Sequence, residues 1–267
     1  MPSIQSVGVL PINATGLRVV VTAAGSGIGE VIARSFQARG ARVYICDVAE
    51  QLVSEALKSI EGSFGSVADV GDPAAVNRMF DHIEHTLGGV DVLINNAGIA
   101  GPTALVEDVK TEELEQTLRI NLQGQFYCCK RVIPNMKKAG GGSIVNISSI
   151  AGRLAFAMRT PYAASKWGVV GFTKSLAMEV GRDNIRVNAI LPGHVNSPRF
   201  QRVWGTKAKK LGITMEEMCA EVLRCVASGR TVEMQDIANM ALYLTSSYGA
   251  AINGQAISVC GGVEMMG

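Results

Sequence analysis

The sequence predicts a doubly wound α/β domain, an open parallel sheet of about seven strands with helices on both faces. Three observations point there. Short apolar runs recur along the chain, too continuous for a sheet with one solvated face. A longer segment with apolar residues at helical spacing follows most of them. A glycine-rich turn joins the first such pair, as a tight strand-to-helix connection requires. Strands that alternate with helices build a parallel sheet. A chain of 267 residues, 48% of them hydrophobic, is long enough to bury one large core.

Leu17 to Val21, interrupted only by Arg18, has the pattern of a buried strand. It runs into Thr22-Ala23-Ala24-Gly25-Ser26-Gly27-Ile28-Gly29, then into a helix with Ile28, Val31, Ile32 and Phe36 on one stripe, stopped by Gly40. Glycines there let the backbone approach a diphosphate, and a helix N-terminus supplies unpaired N–H groups and a positive dipole end. Arg42 to Cys46 is the second strand, with Asp47 at its carboxyl end, where dinucleotide-binding folds place an acid on the adenosine ribose. That acid would repel a 2′-phosphate, and neither Ser26 nor Val48 offers a cation to pair with one, so NAD is favoured over NADP.

Helical spacing resumes at Leu52 to Ile60, and a third strand near Gly65 to Val67 ends at Asp69-Val70. Asp72-Pro73 starts a helix that buries Val76, Met79, Phe80, Ile83 and Leu87 before Gly88-Gly89. Val90 to Ile94 delivers Asn95-Asn96-Ala97-Gly98 at its tip. One long helix is expected from Thr111 to about Lys138, carrying Asn121 among apolar neighbours as a satisfied core amide or a site member. Ser143 to Ile147 ends in Ser148-Ser149, where open α/β sheets bind ligands. Thr160-Pro161 opens the next helix, and strand six, Ile185 to Ile190, precedes Pro192-Gly193-His194-Val195-Asn196-Ser197-Pro198. Residues 198–230 form a helical excursion over the site, Asp236 to Leu244 a last helix and Ala256 to Val259 a last strand. The organisation expected is an irregular lead-in at 1–16 and a single Rossmann-type domain at 17–267.

Other classes find little support. Lysine and arginine number 25 against 23 acidic residues, a net charge of +2, which gives no electrostatic case for nucleic acid or an anionic membrane. No apolar run is long enough to span a bilayer, and Met1 to Gly16 lacks the basic-then-apolar pattern of a secretion signal. The six cysteines form no Cys-x-x-Cys pair and none lies near His82 or His85, so no metal is expected. A reduced, cytoplasmic protein is the expectation.

Tyr162-Ala163-Ala164-Ser165-Lys166 places a phenol and an ammonium on one face of a helix. A nearby cation favours the phenolate, so such a pair can serve as a general acid and base. The spacing alone also occurs on solvated helix faces. With the other motifs, the chain resembles the short-chain dehydrogenase/reductase family over nearly its whole length. The family's Thr-Gly-x-x-x-Gly-x-Gly falls on Thr22 to Gly29, with Ala23 in place of the first glycine. Its adenine-side Asp-Val falls on Asp69-Val70, its Asn-Asn-Ala-Gly on Asn95 to Gly98, and its Pro-Gly on Pro192-Gly193.

The resemblance implies hydride transfer between NAD and a small-molecule alcohol or carbonyl. Ser149 would hold the substrate oxygen, Tyr162 exchange the proton, Lys166 support the phenolate and bind the nicotinamide ribose, and Asn121 hold a relay water. Thr22, Gly25, Ser26, Gly27, Ile28, Gly29, Asp47, Asp69, Val70, Asn96, Ala97, Gly98, Tyr162, Lys166, Pro192, Gly193, Val195 and Ser197 would line the cofactor site. Arg153, Arg159, His194 and Arg199 are substrate candidates, for an anionic or polyhydroxylated compound. Ala23 costs strain if its φ is positive. The family implies a homotetramer. A catalytically silent NAD-binding scaffold and a nucleotide-sugar epimerase share parts of this pattern. The epimerase relatives use a different glycine turn and are usually longer.

Overall fold

The computed structural model describes residues 12–263, without the side chain of Arg199; the lead-in expected at 1–16 is therefore described only from Ile12. Seven strands form one parallel sheet: β1 (Arg18–Thr22), β2 (Arg42–Asp47), β3 (Phe64–Val67), β4 (Val92–Asn95), β5 (Gly142–Ile147), β6 (Ile185–Pro192) and β7 (Ala256–Val259). Their order is β3-β2-β1-β4-β5-β6-β7, so the winding reverses between β1 and β4. Val21 there pairs with Ile94, and the two carboxyl ends open a crevice of the kind in which such sheets bind ligands.

The continuous apolar strands are explained by two cores, one on each face. Along β1, Val19 and Val21 face one way and Val20 the other, as the pleat requires. The first core packs Ile45, Ile94, Val145 and Ile190 against Ile32 and Phe36 of α1 (Gly27–Gln37) and Leu242 of α9 (Met234–Thr245). The second packs Tyr44, Leu93, Ile144 and Val187 against Met79 and Phe80 of α3 (Pro73–Leu87), Cys128 and Met136 of α5 (Gly124–Ala139) and Leu176 of α6 (Thr160–Val180). α2 (Glu50–Ser59) covers the β2–β3 edge through Val53 and Ala56.

The long helix expected from Thr111 to about Lys138 is interrupted. α4 (Thr111–Leu118) gives way to a five-residue π turn, Arg119–Gln123, before α5 resumes. The cause is tertiary: the turn rotates Asn121 inward, where its amide bonds other segments. Within residues 198–230, α7 (Pro198–Leu211) and α8 (Met215–Arg224) pack on each other around Phe200, Ala208, Met218 and Val222. This lobe has its own small core. The segment leading into it pairs Val195 with Val232, where Val232 N donates to His194 O at 2.9 Å.

Candidate active site

The end of β5 and the start of α6 are packed together by the backbone. Ser148 Oγ donates to Lys166 O at 2.9 Å, and a Cβ on Gly152 would come within 2.8 Å of that same oxygen. Ser149 follows; its Oγ accepts from Ala151 N at 3.2 Å and starts a short 3₁₀ turn. Pro161 in the first turn of α6 supplies a preset φ where no N–H is needed. From this helix Lys166 is directed inward, 3% exposed, with Nζ donating to Ile147 O at 2.9 Å. Tyr162 stands one turn earlier, its ring centroid 5.7 Å from Lys166 Nζ. A buried ammonium needs partners to offset lost hydration, and the Ile147 carbonyl is one.

Asn121 is fully buried. Its Oδ1 accepts from Ile99 N at 2.7 Å, and its Nδ2 donates to Ile99 O and Ser165 Oγ, both at 3.0 Å. Ser165 Oγ donates in turn to Tyr162 O at 2.7 Å, so the π turn is tied to α6 between Tyr162 and Lys166. A Cβ on Gly98 would lie 3.2 Å from Asn121 Oδ1 and 3.4 Å from Lys166 Nζ, a tight passage that glycine leaves open. Asn121, Tyr162 and Lys166 thus share one neighbourhood, with Ser149 at the adjoining strand end.

The glycine turn is braced from β4. Thr22 Oγ1 accepts from Asn96 N and Ala97 N, and Asn96 Nδ2 donates to Thr22 O and Ala23 O, each at 3.0 Å. A Cβ on Gly29 would collide with Ala23 O and Asn96 Nδ2, so this position must be glycine for space. Gly27 has φ +65 with open space beyond its Cα. Ala23 has φ +49, so the strained alternative foreseen from the sequence is the one adopted. Ser26 is the N-cap of α1 but its hydroxyl accepts no cap bond, which leaves the first N–H groups without a side-chain acceptor, and Ile28 packs half-buried on the core.

Asp47 Oδ2 accepts from Gly25 N and Oδ1 from Ala49 N, both at 3.2 Å. Asp69 Oδ1 accepts from Gly71 N at 2.8 Å, and Val70 beside it is buried. Past β6, a Cβ on Gly193 would come within 2.6 Å of Cys260 Cα, packing this turn onto the last strand. Ser197 Oγ donates to Val195 O and accepts from Phe200 N, both at 3.2 Å, and so caps α7.

The four substrate candidates are placed differently. Arg159 is 8% exposed; its guanidinium carbon lies 4.8 Å from the Tyr162 ring centroid and Nη2 donates to Ala100 O at 2.7 Å. Arg153 donates to the Ala256 carbonyl on β7. His194 stacks edge-on with Trp204 at 5.3 Å and Phe200 at 6.2 Å; burial, then the charge of Lys207, lowers its pKa to about 4, so the ring is neutral at pH 7. The side chain of Arg199 lies outside the described residues. Three further residues carried no sequence signal. Lys210 of α7 donates to Thr103 O, joining the α7–α8 lobe to the chain after Gly98. Met158 holds φ +64, and its carbonyl accepts from Ala104 N at 3.0 Å. Arg119 binds Asp69 Oδ2 at 3.0 Å. A glycine at 158 would have announced the left-handed turn; methionine conceals it. Among the described residues, no group of three or more His, Cys, Asp or Glu gathers to hold a metal.

Comparison with known proteins gives the family. A family model described as enoyl-(acyl carrier protein) reductase matches residues 22–264. D-threitol dehydrogenase of Mycolicibacterium smegmatis is 35% identical over 255 residues, covering 92% of each chain. A structure of actinorhodin polyketide ketoreductase with NADPH superposes with TM-score 0.89 at 35% identity, covering 93% of this chain and 97% of its own. NAD+-bound xylitol dehydrogenase gives TM-score 0.89 at 27% identity, covering 93% and 99%. The chain belongs to the short-chain dehydrogenase/reductase family and is an oxidoreductase of CH–OH groups.

Proposed function

We propose that this protein is an NAD(H)-dependent enzyme that transfers hydride between the nicotinamide and a secondary alcohol or ketone. The carrying observation is the placement of Lys166 Nζ, buried, bonded to Ile147 O and 5.7 Å from the Tyr162 ring, at the carboxyl end of the strand that presents Ser149. Ser149 Oγ donates to the substrate oxygen. Tyr162 accepts the alcohol proton in oxidation and returns it in reduction, while the Lys166 ammonium supports the phenolate. Asn121 fixes Ile99 and Ser165 around that ammonium, and a water held beside it carries protons onward.

The residues present fit a dinucleotide. The open backbone at Gly27 and the uncapped N-terminus of α1 suit a diphosphate. The Asp47 carboxylate, turned to Gly25, suits a ribose diol, and Val48 after it supplies no cation for a 2′-phosphate. Asp69, Val70, Asn96, Ala97 and Gly98 would take the adenine and inner ribose side, and Pro192, Gly193, Val195 and Ser197 the carboxamide side. The bound nicotinamide would supply the redox chemistry, the chain its positioning and the proton.

A hydroxy acid, sugar or polyol is the substrate class proposed, met by Arg159 above Tyr162 and covered by residues 198–230 of a single unit spanning 17–267. The groove of about 630 Å³ between α5 and α6, lined by Leu122, Phe126, Ile133, Phe172 and Leu176, supports contact with a second copy in a homotetramer. The free thiols, Cys225 exposed among them, support a cytoplasmic location. NADH fluorescence with a panel of hydroxy acids, sugars and polyols tests the reading. Turnover should fall about 10³-fold in Tyr162→Phe with NADH affinity kept. Tighter binding of NADPH than NADH by the wild type would overturn the cofactor assignment.

A further inference from the structure

Arg119 opens the π turn and Gly124 lies just past it. Residues five apart on an α-helix point about 140° from each other. The wider π turn brings them to the same side. Here both meet the segment that follows β3. Arg119 Nη1 donates to Asp69 Oδ2 at 3.0 Å, and a Cβ on Gly71 would come within 2.8 Å of that nitrogen and 3.2 Å of Arg119 Cγ. The arginine therefore lies flat across Gly71, whose backbone is not left-handed; the glycine is demanded by the side chain above it. At the other end, a Cβ on Gly124 would meet Val70 Cγ2 at 2.8 Å and Val70 O at 3.1 Å. One π turn holds Asp69 to Gly71 from two points.

Both oxygens of the Asp69 carboxylate are then fixed, Oδ1 by Gly71 N and Oδ2 by Arg119, yet each keeps a lone pair and the side chain is 35% exposed. Such an acceptor suits an amine and opposes a carbonyl in the same place. We propose that Arg119 is a positioning residue for the cofactor: it presents the Asp69 carboxylate to the exocyclic amine of adenine and makes the site select adenine over hypoxanthine. This rests on the dinucleotide reading above, but holds with or without a 2′-phosphate.

The test uses the full chain and two probes, NADH and its deamino analogue with hypoxanthine in place of adenine, with Kd read from nicotinamide fluorescence. Wild type should favour NADH by about tenfold, the scale of one hydrogen bond to a charged group. Arg119→Met should bring the ratio near one by weakening NADH alone, and Arg119→Lys should recover part of it. Gly71→Ala, which displaces the arginine while keeping both charges, should behave like Arg119→Met. A wild-type ratio near one, or an unchanged ratio in both Arg119→Met and Gly71→Ala, overturns the proposal, including where their melting temperatures fall. Binding of neither probe by the wild type overturns the dinucleotide reading itself.

Discussion

At residue 23 the backbone is left-handed and the side chain is a methyl. An L-residue there carries strain of about 1–2 kcal/mol. Against this, alanine saves about 0.4–1 kcal/mol of unfolded-chain entropy relative to glycine. The strain is larger, so Ala23→Gly should stabilise the protein by roughly 0.5–1 kcal/mol, read as a raised urea midpoint at constant m-value. A lowered midpoint would mean that the methyl's contact with the core outweighs its strain. Residue chemistry was legible where it follows from local spacing. Tyr162 and Lys166 emerge on one face of α6 because they are four apart. The destinations of the arginines were not legible: Arg153 goes to a β7 carbonyl and Arg159 to the Tyr162 ring, partners far away or set by a left-handed turn at Met158.

Among the elements, the π turn shows what periodicity alone misses. The apolar pattern from Thr111 onward continues smoothly through Asn121, and only the Ile99 and Ser165 partners reveal why the helix takes an extra residue there. The α7–α8 lobe carries a pH dependence. His194 is neutral against Phe200 and Trp204, with a pKa of about 4 against the ordinary 6.5. Between those values an opened or unfolded chain binds a proton that the closed stack excludes, so closure weakens as pH falls through this window and is fully present above it. The effect is at most about 3 kcal/mol. Trp204 emission in a Trp167→Phe background should shift to the red between pH 6.5 and 4, and His194→Phe should remove the shift. A flat profile in the parent would refute the packing argument.

For the whole molecule, the parallel sheet and its two-sided core follow from the sequence because parallel strands must be apolar on both faces. Assembly does not, because it depends on which apolar surface the fold leaves uncovered. α6 has apolar residues all round; one face enters the core, while Trp167 and Met178 stay 52% and 85% exposed. On a different face of α6, Phe172 stacks on Phe126 of α5 at 3.8 Å. For the homotetramer proposed above, Phe172→Glu should give a smaller species by sedimentation velocity, with helical content retained. An unchanged sedimentation coefficient would place any subunit contact elsewhere.

The Arg153 contact has a consequence outside catalysis. Gln255 O and Val259 O bond inward to β6, so by the alternation of a strand the carbonyl of Ala256 points to the open side of the sheet. The arginine occupies a rung that another extended chain would otherwise use. Bare strand edges invite unwanted pairing between molecules, and a charged group laid along one is a common defence. On this view Arg153 protects solubility: its loss would appear as clumping of the protein in storage, before any change in turnover.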